Sequence, residues 1–358
     1  MAAVAFHPLR IAEVRPETDE AVSVTFEVPP ALADEFRYLP GQHVTLRAMI
    51  DGEDVRRSYS ICANAVSGTL RVGIKRLVGG AFSTFATTRL SSGDTLDVMP
   101  PVGEFTLSPD PANRRHVGAV AAGSGITPVL SLASTLLAVE PQSRFTLVFG
   151  NRQARTVMFL EEVEGLKDRY ADRFHLIHVL SREGAAAPLF TGRLDEAKLE
   201  ELLDRVVDAA SVDDWYLCGP YDMVGAARRV LERRGVSAQC VHDELFFAGP
   251  LDPSQLPPPP PEDEEGAVVL SFVLEGRSST VRMWPGTAVL DAALSVRREL
   301  PFSCKGGMCA SCKARLLEGE VAMAKNFALT ADDLEAGYIL TCQAHPVTEH
   351  LVVDYDQR

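Results

Sequence analysis

Four of the seven cysteines in this 358-residue chain are spaced for iron chemistry. Cys304, Cys309 and Cys312 lie within nine positions, and Cys342 follows after twenty-nine further residues. This pattern, C-x4-C-x2-C and then one distant cysteine, is typical of four thiolate ligands around a [2Fe–2S] cluster. Small residues between the ligands, such as Gly306 and Gly307, let the loop turn tightly and leave backbone N–H groups to face sulfur. The sequence therefore predicts a cluster site here.

Two alternatives compete for the same cysteines. Structural zinc sites usually pair their ligands as two short C-x2–4-C knuckles, whereas here the ligands divide three and one. A disulfide framework is disfavoured because the N-terminal sequence lacks the long apolar core of a secretory signal, so we expect a cytoplasmic protein with reduced thiols. The other cysteines, Cys62, Cys218 and Cys240, are expected to be small buried apolar residues.

Composition narrows the functional classes. The formal net charge is −14 and the sequence pI is about 5.1, so we expect no binding to nucleic acid phosphates. No run of eighteen apolar residues occurs, so no membrane partner is expected. The length predicts two or three domains.

Residues 1–110 are predicted to form an antiparallel β-barrel. Segments 18–28 and 43–48 alternate or are rich in β-branched residues, and turn residues separate them. Within the barrel, Arg57-Ser58-Tyr59-Ser60 matches a flavin-type R-x-Y-S motif. The Arg57 fork suits a pyrophosphate, Tyr59 would lie on the isoalloxazine face, and Ser60 would donate a hydrogen bond near N5. An exposed strand with these four residues also occurs by chance.

A second flavin element is predicted after Gly79, where a glycine pair precedes a helix. Backbone amides at such a helix start can cradle a phosphate, although a simple helix N-cap is the alternative. The residues predicted to bind the flavin in and near this segment are Ile74, Lys75, Gly80, Ala81, Phe82 and Ser83.

Residues 111–248 are predicted to form an α/β domain with a parallel sheet that binds a nicotinamide dinucleotide. A buried strand at 116–122 precedes the G-x-G-x-x-P segment that contains Gly123, Gly125, Thr127 and Pro128, and a helix is predicted at 129–138. The glycines allow close approach of the backbone to a pyrophosphate, and proline suits the first helical turn.

Two further strands are predicted at 145–149 and 174–180, and polar residues follow both. Arg152 follows the first strand, while Ser181 and Arg182 follow the second. Ligands bind at the carboxyl ends of parallel strands. A hydroxyl and a guanidinium suit the 2′-phosphate of NADPH better than the free ribose of NADH. The alternative is that Arg182 is only a solvated loop charge.

A last strand of this domain ends at Cys218, Gly219 and Pro220. Cys218 either lies beside the nicotinamide or simply packs in the core. Glu244 and Phe246 either reach the flavin edge or form an apolar strand end. We predict that Tyr59, Ser60, Thr127 and Cys218 form the reaction centre, and that Gly219, Pro220 and Phe246 contact cofactors.

Residues 249–266 are predicted to be an extended proline-rich, acidic linker. Residues 267–358 are predicted to form an α+β domain of β-grasp outline. Its expected elements are a hairpin at 268–274 and 279–283, a helix at 289–298, the cysteine loop, and a final strand at 351–355.

The ordered motifs resemble the ferredoxin–NADP reductase superfamily with a plant-type ferredoxin domain fused at the C-terminus. The resemblance depends on 36–43 (FRYLPGQH), 56–62 (RRSYSIC), 121–128 (AAGSGITP), 304–307 (CKGG) and 337–343 (GYILTCQ). It implies a multidomain oxidoreductase that passes electrons from NADPH to FAD and then to the [2Fe–2S] cluster. The implied partner is a di-iron oxygenase that epoxidises the ring of phenylacetyl-CoA in phenylacetate degradation.

Three alternatives remain open. The same electron relay could serve another oxygenase, for example an aromatic-ring dioxygenase, possibly with NADH as donor. The chain could be a non-redox protein with structural zinc. It could also be a reductase of free flavin, although the four cysteines would then have no purpose.

Overall fold

The structure is a computed structural model that describes residues 6–184, 187–247, 267–274, 276–297, 300–302 and 304–357. Phe6–Phe247 form one compact unit, and the described residues from 267 onward belong to a second. The linker predicted at 249–266 lies outside the described residues, and the domain boundary at 110/111 stays a prediction. None of the helices in the described ranges has the length and apolar composition needed to cross a bilayer.

The first unit begins with six antiparallel strands in the order β4-β3-β6-β1-β2-β5. Their bounds, with one helix, are β1 (His7–Thr18), β2 (Ala21–Glu27), β3 (His43–Ile50), β4 (Glu53–Ser60), β5 (Leu70–Lys75), α1 (Ala81–Thr88) and β6 (Thr95–Val98). A bridge between Ile61 and Val72 joins the two edge strands. The antiparallel β domain is thus confirmed.

The predicted strand at 18–28 is divided in two, because Thr18 ends β1 and a turn at 19–20 precedes β2. The long strand β1 was not predicted as such. It contains two prolines, and only Leu9 and Ile11 are buried along it, so its alternation of polar and apolar residues is weak.

The second half of this unit is a parallel sheet in the order β11-β10-β7-β8-β9. Its elements are β7 (His116–Ala122), α2 (Ile126–Val139), β8 (Arg144–Asn151), α3 (Leu160–Arg169), β9 (Phe174–Leu180), α4 (Glu196–Arg205), β10 (Asp214–Pro220), α5 (Tyr221–Arg233) and β11 (Val241–Phe247). Residues of β7 alternate between two apolar clusters of this sheet. Successive side chains of the strand are therefore buried without a break from 116 to 121. Helix α2 begins three residues before the predicted start, so Pro128 lies in its first turn.

The second unit has a mixed sheet in the order β13-β12-β18-β14-β16, in which β12 and β18 are parallel. Its elements are β12 (Val268–Leu274), β13 (Arg277–Met283), α6 (Val289–Leu294), β14 (Lys313–Glu318), β15 (Val321–Met323), α7 (Ala331–Glu335), β16 (Tyr338–Leu340), β17 (Ala344–Pro346) and β18 (His350–Asp354).

The predicted hairpin of the second unit is present as β12 and β13, which pair antiparallel. The helix predicted at 289–298 is shorter than expected, since α6 ends at Leu294 and Arg298 lies outside the described residues. The Ser295 hydroxyl donates to the Ala292 carbonyl at 2.6 Å, a local bond typical of residues that end helices.

Candidate functional sites

The flavin-type motif lies on β4, where Arg57 and Tyr59 are two residues apart and therefore share one face of the strand. Arg57 is exposed, and its Nη1 donates to the Arg56 carbonyl at 2.6 Å. The half-buried Tyr59 ring lies 5.6 Å from the Phe82 ring, centroid to centroid. Arg56 is buried instead and forms an ion pair with Asp54. The exposed guanidinium beside an aromatic ring fits an anionic flavin nucleotide.

The glycine pair Gly79–Gly80 leads directly into α1, and Gly80 is the N-cap residue of that helix. A Cβ on Gly80 would lie 2.6 Å from the Ser83 hydroxyl and 3.2 Å from the Leu77 carbonyl oxygen, so a larger residue would require these neighbours to shift. The side chains of Ile74 and Phe82 belong to the barrel core, which leaves only their backbone atoms to face a ligand. The segment fits a phosphate held by backbone amides.

A buried polar group occurs where the barrel meets β11. The Ser60 hydroxyl donates to Glu244 Oε2 at 3.1 Å, and His43 Nδ1 lies 3.7 Å from Glu244 Oε1. Burial raises the pKa of Glu244 to about 7, although the Ser60 hydrogen bond opposes this, and burial lowers the pKa of His43 to about 4. Sequence reasoning did not connect His43 with this group, because only the β3–β4 register places it opposite Ser60.

The Gly123–Gly125 turn is wedged between β7 and β10. Gly123 has a φ of +56°, and a Cβ on Gly125 would lie 2.1 Å from the Cys218 carbonyl oxygen. Gly125 is therefore required for packing of the loop against β10, a constraint independent of any ligand. Across the loop, a Cβ on Gly73 of β5 would lie 2.6 Å from Thr127 Cγ2. The sequence did not single out Gly73, although it allows the barrel to approach the loop.

Three of the four predicted reaction-centre residues are buried, namely Thr127, Cys218 and Ser60, and the last of these contacts Glu244. Thr127 donates its hydroxyl to the Ser124 carbonyl at 2.9 Å, so in this structure that hydroxyl stabilises the loop. Cys218 is fully buried and pairs with Glu244 in the β10–β11 register. Burial raises the pKa of the Cys218 thiol. The reaction-centre roles of Thr127 and Cys218 remain predictions, as do the cofactor contacts of Pro128, Gly219, Pro220 and Phe246.

Three cationic side chains lie near the carboxyl ends of β7–β9. The Ser181 N–H donates to the Asn151 carbonyl at 2.9 Å, and the Arg182 N–H donates to the Arg152 carbonyl at 2.8 Å. These backbone bonds join the two loops, and both arginines are exposed. Lys75, whose predicted contact with the flavin stays a prediction, lies close to the glycine loop, with Nζ 3.9 Å from the position of a Cβ on Gly123. Burial lowers the pKa of Lys75, the charge of Glu20 opposes this, and the charge of Arg152 acts in the same direction as burial.

In the second unit, all four predicted cluster ligands are free thiols. The three cysteines of the first unit, Cys62, Cys218 and Cys240, are also free thiols. The disulfide alternative is therefore wrong for this structure. The Cys304 N–H donates to Cys309 Sγ at 3.5 Å, and the Gly306 N–H donates to Cys304 Sγ at 3.3 Å. Hydrogen bonding with the Cys309 thiol lowers the pKa of Cys304 to about 6. Thiols that already accept N–H groups fit an anionic iron–sulfur centre.

The cluster loop has the tight turns that the sequence predicted, but glycine does not make all of them. Gly307 has a φ of +76°, and Lys305 and Ala310 adopt positive φ values of 49° and 51°. Two of the positive-φ positions in this loop are therefore occupied by residues that have a side chain.

Two residues beside the fourth ligand were missed by sequence reasoning. The Thr341 hydroxyl donates to the Cys312 carbonyl at 2.9 Å, and Gln343 Nε2 donates to the Lys305 carbonyl at 2.8 Å. Both join the Cys342 segment to the three-cysteine loop. Their position next to Cys342 was the only signal that the sequence offered.

Comparison with known families identifies all three regions. Residues 9–107 match the oxidoreductase FAD-binding domain, residues 119–229 the oxidoreductase NAD-binding domain, and residues 272–347 the 2Fe-2S iron-sulfur cluster binding domain. Cofactor-binding domains for FAD, a pyridine nucleotide and a [2Fe–2S] cluster are therefore present in the order that the motifs predicted.

Full-length relatives have the same organisation. The chain is 39% identical over 354 residues to one of the subunits of 1,2-phenylacetyl-CoA epoxidase of Escherichia coli (strain K12), covering 99% of this chain and 98% of the relative. It is 34% identical over 362 residues to the ferredoxin reductase component of 3-ketosteroid-9-alpha-monooxygenase of Mycobacterium tuberculosis (strain CDC 1551 / Oshkosh), covering 98% and 96%.

A solved structure shares the fold. Phthalate dioxygenase reductase superimposes with a TM-score of 0.61 at 21% identity, covering 98% of each chain. The family matches, the full-length relatives and the shared architecture agree with the R-x-Y-S, glycine-loop and four-cysteine motifs. The chain is therefore an oxidoreductase that belongs to the ferredoxin–NADP reductase superfamily, in the group of reductase components whose flavin and nucleotide domains are joined to a plant-type [2Fe–2S] domain.

Proposed function

We propose that this reductase draws electrons from NADPH and delivers them, through FAD and its [2Fe–2S] centre, to a di-iron oxygenase of the phenylacetyl-CoA epoxidase type. The observation that carries the choice of NADPH is the group of three cations at the carboxyl ends of β7–β9. The observation that supports the partner is the full-length similarity to the Escherichia coli 1,2-phenylacetyl-CoA epoxidase component.

The three cations Lys75, Arg152 and Arg182 stand out because the chain as a whole has a net charge of −14. A local positive group on an acidic protein attracts an anion that carries several charges. Lys75 lies against the glycine loop, where a pyrophosphate would bind. Arg152 follows β8 and Arg182 follows β9, the next two strands along the sheet. The adenosine ribose of a dinucleotide would lie on this side of its pyrophosphate. A 2′-phosphate there would receive fork-shaped guanidinium donors.

The carboxylate of Glu183 lies where it could favour NADH over NADPH. Glu183 follows Arg182, and a carboxylate in such a loop could accept the 2′-hydroxyl of NADH. Here Glu183 Oε2 already accepts the Ala154 N–H at 2.7 Å. One oxygen of this carboxylate therefore joins the two loops, and the side chains of Arg182 and Glu183 are both exposed.

On the flavin side, we assign the pyrophosphate to Arg57 and the Gly80–Ser83 backbone, and the isoalloxazine face to Tyr59. FAD, when bound, converts two-electron input into single-electron output, which is the form that a [2Fe–2S] centre accepts. The chain's own contribution is to position the groups: Ser60 keeps its hydroxyl on Glu244, and Cys218 lies beside Glu244 in the sheet register. The cluster ligands are Cys304, Cys309, Cys312 and Cys342.

Nucleotide preference is tested with Arg182→Ala. Loss of one charge-assisted contact to the 2′-phosphate should lower kcat/KM for NADPH by about 10-fold and leave kcat/KM for NADH nearly unchanged. Arg229→Ala is a suitable control, because it removes the same charge from α5, where Arg229 forms an ion pair with Glu196 of α4. Equal losses with both nucleotides, or a wild-type preference for NADH, would contradict the assignment.

The partner is tested by reconstitution. The purified reductase should support turnover of phenylacetyl-CoA by the oxygenase component of a phenylacetyl-CoA epoxidase and should be slower with the oxygenase of a 3-ketosteroid 9-alpha-monooxygenase. Faster turnover with the second oxygenase would contradict the proposed partner but would not contradict the proposed electron transfer through FAD and the [2Fe–2S] centre.

A further inference from the structure

The side chain of Gln343 connects the two parts of the chain that carry the cluster ligands. Three ligands come from the 304–312 loop, and the fourth, Cys342, follows β16. Gln343 Nε2 donates to the Lys305 carbonyl at 2.8 Å and to the Cys342 carbonyl at 2.9 Å, and it lies 3.7 Å from Cys342 Sγ. One carboxamide thus contacts the ligand loop and the ligand segment together.

The orientation of this carboxamide follows from its neighbours. Both groups at hydrogen-bond distance, the carbonyls of Lys305 and Cys342, are acceptors, so the nitrogen must face them and the oxygen must point away. The NH2 group has two protons. One serves Lys305, and the second is shared between the carbonyl and the sulfur of Cys342.

The surroundings hold Gln343 in place. The residue is only 4% exposed, so water does not replace its contacts. Gly307 packs so closely that a Cβ there would lie 3.1 Å from Gln343 Cγ and 3.0 Å from the Lys325 carbonyl oxygen. The Phe327 N–H donates to the Gly307 carbonyl at 3.0 Å, and the Ala324 N–H donates to the Gln343 carbonyl at 2.9 Å. The cysteine loop is therefore clamped between Gln343 and the 324–327 segment.

From this geometry we propose that Gln343 is a positioning residue of the [2Fe–2S] site, which keeps the three-cysteine loop in register with Cys342 and directs an N–H group to the Cys342 sulfur. A ligand thiolate would carry negative charge, so the Cys342 sulfur would attract the shared N–H group more strongly than a neutral thiol does. Donors to ligand sulfurs influence the reduction potential, and residues that orient ligands influence metal retention.

The test uses the full-length, cofactor-loaded protein and Gln343→Met, which keeps the length of the side chain and removes both donors. Iron release to an excess of a ferrous chelator, followed by the visible absorption, should become about 10-fold faster than in the wild type. The midpoint potential of the cluster, from a spectroscopic redox titration, should fall because a donor to sulfur is lost. The flavin content should not change.

Thr348→Val is the matched control. The Thr348 hydroxyl accepts the Glu320 N–H and donates to the His350 carbonyl, both at 3.0 Å, in the same unit. The Thr348→Val variant should keep the wild-type rate of iron release and the wild-type midpoint potential of the cluster. If Gln343→Met does not load a cluster, Gln343→Asn is used for the test. Because its carboxamide is shorter, this variant should release iron at a rate between those of the wild type and a variant without the carboxamide. Wild-type iron release and potential in Gln343→Met, or in Gln343→Asn when only that variant loads, would overturn the proposal.

Discussion

The cluster loop and the carboxyl edge of the parallel sheet solve the same problem, the binding of a cofactor, in different ways. Three of the four proposed cluster ligands lie within nine consecutive residues, so chain connectivity alone keeps them close. The proposed nucleotide edge is assembled from β7, β8, β9 and β10, with Lys75 added from the barrel. A local site depends on its ligands, whereas an assembled site depends on the packing that brings its parts together.

The strongest test of this contrast removes a ligand from the local site. Cys309→Ser should abolish cytochrome c reduction, because that acceptor needs the cluster, and should leave ferricyanide reduction by the flavin largely intact. The measurement is steady-state reduction of both acceptors with NADPH. Cys240→Ser, which lies outside the cluster loop, should behave as the wild type. Persistence of both activities in Cys309→Ser would show that the cluster is not on the electron path.

The assembled site should instead be sensitive to a glycine whose packing constraint does not depend on any ligand. Gly125→Ala places a Cβ 2.1 Å from the Cys218 carbonyl oxygen, so β10 and the loop must separate. We expect a loss of about 3 kcal/mol in the free energy of unfolding and weaker nucleotide binding. Denaturant titration measures the first, and the KM for NADPH reports the second.

The control for that substitution is Gly165→Ala in α3, where a Cβ meets no heavy atom within 4 Å. Alanine there should stabilise the protein by about 0.5 to 1 kcal/mol, since glycine is unfavourable inside a helix. A destabilised Gly165→Ala, or an unaffected Gly125→Ala, would remove the distinction between packing at the strand edge and ordinary helix propensity.

A smaller effect is expected at the buried group between barrel and sheet. The pKa of Glu244 is raised from its ordinary value of 4.5 to about 7, so the folded state holds this proton more tightly than the unfolded state. The stability that comes from this proton is present below pH 4.5 and is lost as the pH rises to 7. Glu244→Gln lacks this loss, so its stability relative to the wild type should increase over that window by about 1–3 kcal/mol.

Denaturant titrations of both proteins in flavin-free form, from pH 4.5 to 8, measure this difference. His43 has a lowered pKa and therefore adds stability as the pH rises from 4 to 6.5, with the opposite sign. Because His43 is present in both proteins, its contribution cancels to first order. A pH-independent difference would show that Glu244 is ionised throughout.

Sequence reasoning succeeded where the signal was local. The three-domain fold and the families of the cofactor domains followed from motif order, and the family comparisons confirm them. It was less successful with elements that are set by context. Strand β1 was not recognised because it contains prolines and charged residues and its polar and apolar residues alternate only weakly. The helix that begins at Val289 was predicted to be longer than it is.

Sequence reasoning assigned Lys75 to the flavin because the residue lies beside the flavin motifs in the chain, and that assignment stays a prediction. In the fold, β5 ends near the glycine loop, and the long side chain extends to Gly123. A flexible side chain can cross from one domain to the next, and no spacing rule in a single sequence reports that.

The sequence by itself determined which chemistry is possible, because thiolate spacing, glycine turns and strand–helix order are encoded by neighbouring residues. Only the tertiary structure decided which residues support that chemistry. Glu244 meets Ser60 across 184 positions, Gln343 meets Lys305 across 38, and Gly125 meets Cys218 through the order of the sheet. These contacts depend on strand register and close packing, which arise only when distant segments exclude water together.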